Sequence, residues 1–448
     1  MALTGIQIFK LLPKTNCGQC GVPTCLAFAM NLAAGKAELD SCPFISEESK
    51  AQLSEASAPP IRPVTIGTGD NVVKIGGETV LFRHEKTFVN KPGLALLVSD
   101  TMGADEVAGR LKRFKELKYD WIGLVLRPEM IAVKNESGDA GKFAALVQKV
   151  MDETDAAPIL MSSSVEALTA GVKASAARLP LIYAATADNA EALAALAKEN
   201  KCTLAVKAET MDDLAALTEK LTAAGAKDLV LDSGARTMRR AFEDSVFIRR
   251  AALVQKNRAL GYATITFPCE MTTDPAKEAL IAASFIAKYG GIIVLSDFQG
   301  ETLFPLLVAR LNIYTDPQRP MMMQQGIYPI GNPTEDSPVL ITTNFALTYF
   351  IVSGEIEGSR VPSWLMVMDT EGLSVLTAWA AGKFVGDAIG QFIKKSGITE
   401  KVKHKKIVIP GFVAAVSGDL EEELGPEWEV KIGPREAAHL APFLKMGV

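Results

Sequence analysis

Between Leu94 and Asp297 the chain repeats one theme: a short apolar run, a polar turn, then a stretch rich in Ala, Leu, Lys and Glu. The runs are LALLVSD (94–100), WIGLVL (121–126), PILMS (158–162), LPLIYAAT (179–186), TLAVKA (203–208), DLVLDS (228–233), ATITFP (263–268) and GIIVLSD (291–297). Apolar runs without alternation suit strands buried on both faces, which goes with parallel strands joined by helices. Eight such units in about 230 residues fit a TIM (β/α)8 barrel, whose ordinary length is about 250. The chemistry of such barrels sits at the carboxyl ends of the strands, where Asp100, Asp232 and Asp297 fall. These are candidate acids, bases or contacts to a pterin-like ligand, yet Ser-Asp after a strand equally suits the N-cap of the next helix.

The stretch TNCGQCGVPTCLAFAMNLAAGKAELDSCPF ahead of the barrel holds four of the six cysteines, spaced Cys17-x2-Cys20-x4-Cys25-x16-Cys42. Two sit in a glycine-bearing loop, the third opens a helix after Pro23, and the fourth follows the helix end beside Pro43. Loop, helix and return would bring four sulfurs to one point. Gly18 and Gly21 give the loop the backbone freedom that wrapping a compact iron-sulfur cluster demands. A four-cysteine zinc site competes, although its usual pattern is two C-x2-C pairs. Cys202 and Cys269 lie in apolar strand-like contexts and read as inert core thiols.

The formal charge of -5, from 47 Lys and Arg against 52 Asp and Glu, gives no basic excess for nucleic acid or an anionic membrane. The start, MALTGIQIFKLLPK, has too short an apolar run for a secretory segment, and no apolar stretch reaches the roughly 20 residues that span a bilayer. A cytoplasmic location is expected, and there two disulfides are disfavoured as the fate of the four cysteines. None of the histidines stands in an acid-base constellation. His84 lies in a charged lead-in, His404 in the cationic KVKHKK and His439 in the last helix.

After the cysteines, SEASAPPIRPVTIG (54–67) reads as a linker; extended at about 3.1 Å per residue it would reach roughly 40 Å. PMMMQQG (320–326) reads as apolar packing or a partner-facing patch, and not as a cofactor site. Beyond Pro333 come four strand-helix units, led by PVLITT, SWLMVMDT, KKIVIP and WEVKIG, which predict an open α/β (Rossmann/flavodoxin-like) domain. Such domains bind ligands at the carboxyl ends of their strands, here Thr342-Thr343-Asn344, Asp369 to Gly372, Pro410-Gly411 and Gly433-Pro434. The expected divisions are 1–58 for the cysteine module, 59–92 for linker and lead-in, 93–325 for the barrel and 326–448 for the end domain.

The cysteine module, the linker, the barrel and the motifs ITTNFALTYF, VMDTEGLSVLTAWAAGKF, VIPGFVA and KIGPRE together resemble one family over essentially the whole chain. It is the large (gamma) subunit of the corrinoid iron-sulfur protein of the reductive acetyl-CoA pathway. The resemblance implies a 4Fe-4S cluster on Cys17, Cys20, Cys25 and Cys42, and a base-off corrinoid (cobalamin) on the end domain. Its cobalt, as Co(I), would take a methyl group from methyltetrahydrofolate through a separate methyltransferase and hand it to acetyl-CoA synthase. The cluster would return oxidised Co(II) to Co(I). A small subunit completes a heterodimer, so the chain is expected to be a methyltransferase component without catalytic side chains of its own. Carried over, Thr342, Thr343, Asn344 and Ala346 line one side of the corrinoid. Thr370, Glu371, Gly372, Leu373 and Ser374 run beneath the ring or beside its nucleotide tail, and Gly411 and Gly433 allow close approach. The hydroxyl of Ser374 or Thr370 is the candidate for the lower face. One departure from many cobalamin-binding domains is the lack of an Asp-x-His-x-x-Gly motif, so that pattern positions no histidine as a cobalt ligand.

Overall fold

Eight short parallel strands lie under continuous burial: β1 (Gly93–Ser99), β2 (Met130–Lys134), β3 (Ala157–Met161), β4 (Leu181–Ala185), β5 (Thr203–Lys207), β6 (Leu229–Asp232), β7 (Ile265–Thr266) and β8 (Ile292–Leu295). They pair in the order β6-β5-β4-β3-β2-β1-β8-β7. The two ends of that order meet through a parallel bridge between Leu231 and Thr264, where the Leu231 amide donates to the Ala263 carbonyl at 2.9 Å, so the sheet is a nearly closed barrel. The computed structural model describes residues 4–33, 37, 39–46, 48–50, 53, 59–316 and 319–447. The helices between strands start where their sequences provide caps. Asp139 accepts from the amides of Gly141 and Lys142, Ser164 from Ala167, and Asp274 from Ala276 and Lys277 with Pro275 as the first helical residue.

Two expectations are corrected. WIGLVL is no barrel strand: Tyr119–Trp121 and Leu124–Leu126 form an antiparallel hairpin. Its two turn residues, Ile122 and Gly123, both have positive φ (50° and 80°), the geometry of a tight two-residue turn. The barrel's second strand is instead MIAVK, Met130–Lys134. The stretch 54–67 is also no free linker in its described part. The Arg62 amide donates to the Gly261 carbonyl at 2.9 Å, Arg258 donates to the Pro59 carbonyl, and Val64–Ile66 pairs with Val73–Ile75. Val64, Ile66, Val73 and Ile75 pack into the barrel interior with Ala95, Met130, Ala157 and Ile159. Alternating burial along both short strands makes this hairpin a plug at the amino end of the barrel, and Ser54 to Ala58 lie outside the described residues.

The chain divides into two compact units. One comprises Met1–Leu81, Val89–Lys112 and Glu129–Phe298; the other comprises Phe82–Phe88, Arg113–Pro128 and Gln299–Val448. The second unit is built on β9 (Gly326–Ile330), β10 (Val339–Thr343), β11 (Ser363–Met368), β12 (Lys406–Ile409) and β13 (Glu429–Ile432), in the order β9-β11-β10-β12-β13. Only β9 is antiparallel, at the edge, where Pro329 withholds no needed donor. The four expected strands are present, and β9 is an addition to them. Among the parallel strands the second lies on one side of the first and the third on the other, so the order of winding reverses between β10 and β12. Open sheets take ligands at that reversal.

The cysteine module has its own small core, with Ile8, Leu12, Phe28 and Leu53 around Cys25 and Cys42. Its helices are α1 (Gly5–Leu11), capped by a reciprocal Thr4 and Gln7 pair, and α2 (Cys25–Ala33).

Candidate functional site

At the reversal point a cavity of about 350 Å³ opens above the carboxyl ends of β10, β12 and β13. Its floor includes Thr342, its walls include Ser374, Pro410 and Gly433, and a helix supplies Thr348 and Ile351. That helix is α3 (Ala346–Ser359), and Val375 and Leu376 come from α4 (Val375–Ala380). Among the described residues the hydroxyls of Thr342 and Thr343 are buried without a hydrogen-bond partner, and of the two it is Thr342 that lines the cavity. An unsatisfied buried hydroxyl costs about 1–3 kcal/mol, so Thr342 marks a place where a partner is to be supplied. Around the mouth Ile351, Leu376 and Phe412 remain 48%, 45% and 44% exposed. Apolar walls with an orphaned hydroxyl beneath them suit a large, mostly apolar ligand with hydrogen-bonding groups on its rim.

The other expected site residues build the frame around that cavity. Asn344 is buried; its Oδ1 accepts from the Thr370 amide (3.0 Å), the Thr370 hydroxyl (3.1 Å) and the Gly372 amide (2.9 Å), while its Nδ2 donates to Asp369 (2.9 Å). One side chain thereby fixes the turn after β11. Glu371 and Gly372 adopt positive φ in that turn, and Glu371 forms an ion pair with Lys383 that holds its carboxyl below the ordinary value. A side chain at Gly372 would strike Met322 and Pro320, which ties PMMMQQG to packing, with Met323 buried in the same core. Thr370 also engages the Leu373 carbonyl, leaving Ser374, which shares only the Thr377 hydroxyl, as the freer of the two candidate hydroxyls. Ala346 begins α3, its amide donating to the Met321 carbonyl at 3.0 Å. Gly411 brings two strand-end loops together: a Cβ there would overlap the Gly433 carbonyl and lie 2.8 Å from the Arg435 nitrogen. Sequence reasoning missed Ile351, Phe412 and Arg435 as lining. The apolar residue after Pro410-Gly411 and the cation after Gly433-Pro434 were the available signals.

In the cysteine module, the Asn16 side chain accepts from the Cys25 amide at 2.8 Å, and Asn16, Gly18 and Gly21 all adopt positive φ. Cys20, Cys25 and Cys42 belong to one apolar cluster, and Cys17 is exposed. All four are free thiols. The Gln19 amide and the Thr15 hydroxyl hold the Cys17 thiol below its ordinary value, which favours the thiolate that ligates metal. The four share one module but are not gathered to a point: among the described residues no three His, Cys, Asp or Glu side chains stand at metal-binding spacing. The donor set fits an iron-sulfur cluster in kind, with four thiols on an open glycine-bearing loop and a helix start. Burial pushes Cys202 up to about 11 and Cys269 up to about 12, as inert thiols require.

The barrel aspartates are engaged in structure. Asp100 accepts from Asn135 (2.6 Å), the Glu136 amide (2.8 Å) and both the amide and hydroxyl of Ser137 (2.9 and 2.7 Å). Asp232 is buried against Arg236 at 2.9 Å and accepts from the Tyr183 hydroxyl and the Gly234 amide. Asp297 accepts from the Phe298 amide at 2.7 Å. His404 ties the Ser337 carbonyl (2.9 Å) to the Lys406 amide, a structural post. No helix among the described residues is long and apolar enough to cross a membrane.

Residues 63–444 match the family described as "CO dehydrogenase/acetyl-CoA synthase delta subunit", and residues 12–44 match an Fe-S cluster family. Over 445 residues the chain is 44% identical to the "Corrinoid/iron-sulfur protein large subunit" of Moorella thermoacetica, covering 99% of each chain. It is 37% identical over 454 residues to the "Acetyl-CoA decarbonylase/synthase complex subunit gamma" of Methanopyrus kandleri, covering 99% of this chain and 97% of that one. The protein of the same description from Methanothermobacter thermautotrophicus is 32% identical over 455 residues.

Proposed function

The chain belongs to the family of corrinoid iron-sulfur protein large subunits, and on that footing we propose that it is a methyl-group carrier of the acetyl-CoA pathway. It would work as a heterodimer with a small subunit, between a methyltetrahydrofolate methyltransferase and acetyl-CoA synthase. When bound, the corrinoid supplies a cobalt that takes and releases the methyl group, and a 4Fe-4S cluster supplies the electron that restores oxidised cobalt to Co(I). The chain's own residues hold, shield and orient.

The observation that carries this reading is the orphaned hydroxyl of Thr342 beneath an apolar-walled cavity at the winding reversal of the end sheet. Thr342 and Ser374 reach the cavity directly and would donate to polar groups on the ring or its tail. Asn344 holds the turn that presents Ser374, acting as a positioning residue. Ile351, Leu376 and Phe412 would cover the macrocycle, each gaining about 1 kcal/mol from burying its exposed half. Arg435 at the rim has no ion pair among the described residues and suits the phosphate of a nucleotide tail. In the amino-terminal module Cys17, Cys20, Cys25 and Cys42 would be the cluster ligands, drawn together when metal and sulfide bind.

Thr342→Val separates ligand contact from folding. It keeps the shape and removes the orphaned hydroxyl, so the corrinoid-free protein should unfold at equal or slightly higher urea, within about 1 kcal/mol. Corrinoid affinity, read by spectroscopic titration, should fall roughly tenfold. Unchanged affinity would remove Thr342 from the site.

A further inference from the structure

The carboxyl-end mouth of the barrel holds a second cavity, about 470 Å³, that the methyl-carrier reading leaves unused. Three cations line it, Lys134, Lys207 and Arg236, against the carboxylates Asp188 and Glu270. Two of the three are satisfied. Arg236 donates to Asp232, to the Tyr183 hydroxyl at 2.9 Å and to Glu270. Lys134 pairs with Glu136 at 2.9 Å and lies 3.8 Å from Glu270. Lys207, at the end of β5 in register with Asp232, is half-buried and makes no ion pair among the described residues.

The neutral polar groups divide the same way. Asn135 is occupied by Asp100 and Ser162, and Asn189 by the Thr186 amide and the Ala184 carbonyl. The hydroxyls of Ser163 and Thr186 line the cavity without a partner among the described residues. What remains with spare capacity is one half-buried ammonium, the half-buried Thr186 hydroxyl and the hydroxyl of Ser163 at the exposed rim, where Asp188 is exposed as well. A half-buried ammonium without a counter-ion is costly, and an ammonium and hydroxyl donors lining one cavity match an oxyanion. Barrels of this type place their ligands at this end.

We propose that the barrel mouth is a binding site for a small oxyanion, a carboxylate or phosphate, held by Lys207 with the hydroxyls of Ser163 and Thr186. The site is formed wholly by the barrel unit, so it stands or falls apart from the corrinoid reading.

The test is calorimetric titration of the full chain, purified without oxygen with its cofactors and small subunit, using inorganic phosphate in one arm and succinate in the other. At least one probe should bind saturably with Kd below about 1 mM. The arm that saturates assigns the anion to phosphate or carboxylate. Lys207→Gln should weaken that binding roughly tenfold or more, while Lys207→Arg retains most of it. Added chloride should compete. Saturation in neither arm, or equal binding by folded Lys207→Gln, overturns the site; if the Gln variant does not fold, loss in the charge-neutral Ser163→Ala, Thr186→Val double variant decides the same question.

Discussion

At the scale of single residues, the two compact units use carboxylates and hydroxyls in opposite ways. Asp100 is satisfied by four donors, and Thr342 by none. Burial works against the charge of Asp100, but the bonds from Ser137, Asn135 and Glu136 outweigh it and hold the carboxyl below its ordinary value. Glu136 is lowered too, by the Ser99 hydroxyl and then Lys134. A depressed carboxylate contributes stability that is present above its unfolded pKa and lost as the pH falls through the folded one. Urea midpoints of the wild type should therefore fall as the pH drops below about 5, and Asp100→Asn should show a lower midpoint at neutral pH with a shallower acid decline. Equal slopes would show that Asp100 does not contribute to the acid transition. The residue types at the strand ends were legible, since Thr342 and Gly433 lie at the ends of strands read from the sequence and do line the cavity, whereas Ser374 came only from the family resemblance. Ile351 and Phe412 were not, because which face of a helix meets a cavity is set by packing and not by spacing along the chain.

At the scale of elements, the period of the apolar runs carried most of the fold. Seven of the eight runs are barrel strands, and all four end-domain runs are strands of one sheet. WIGLVL misled because six apolar-rich residues suit a strand or a hairpin equally; the deciding signal, Gly123 at the second turn position, is a single residue. MIAVK, a five-residue run close behind Pro128, offers a weaker signal than its neighbours. The plug hairpin escaped for a related reason, since three-residue strands with alternating burial leave too little pattern against neighbouring prolines. Its weight is testable. Ile75 is fully buried within the barrel interior, so Ile75→Ala should cost about 2–5 kcal/mol in urea unfolding monitored on the barrel. A loss under about 0.5 kcal/mol would mean that the hairpin is a lid resting on the barrel and not part of its core.

At the scale of the whole molecule, the cysteine module and the end sheet have separate cores, and under the proposed function electron supply and methyl carriage would fall to these different parts of one chain. Cys20→Ala should abolish reductive reactivation while leaving methylation of pre-reduced protein largely intact, read by following the corrinoid spectrum with reductant and with methyl donor in turn. Equal loss of both would remove the division of labour. The central claim, that one chain joins an iron-sulfur cluster to a corrinoid, is met most directly by metal analysis with a visible spectrum on protein purified without oxygen together with its small subunit. The account predicts iron in the proportion of one 4Fe-4S cluster, one cobalt per heterodimer and a base-off corrin spectrum. Zinc in place of iron, or iron without cobalt, would contradict it.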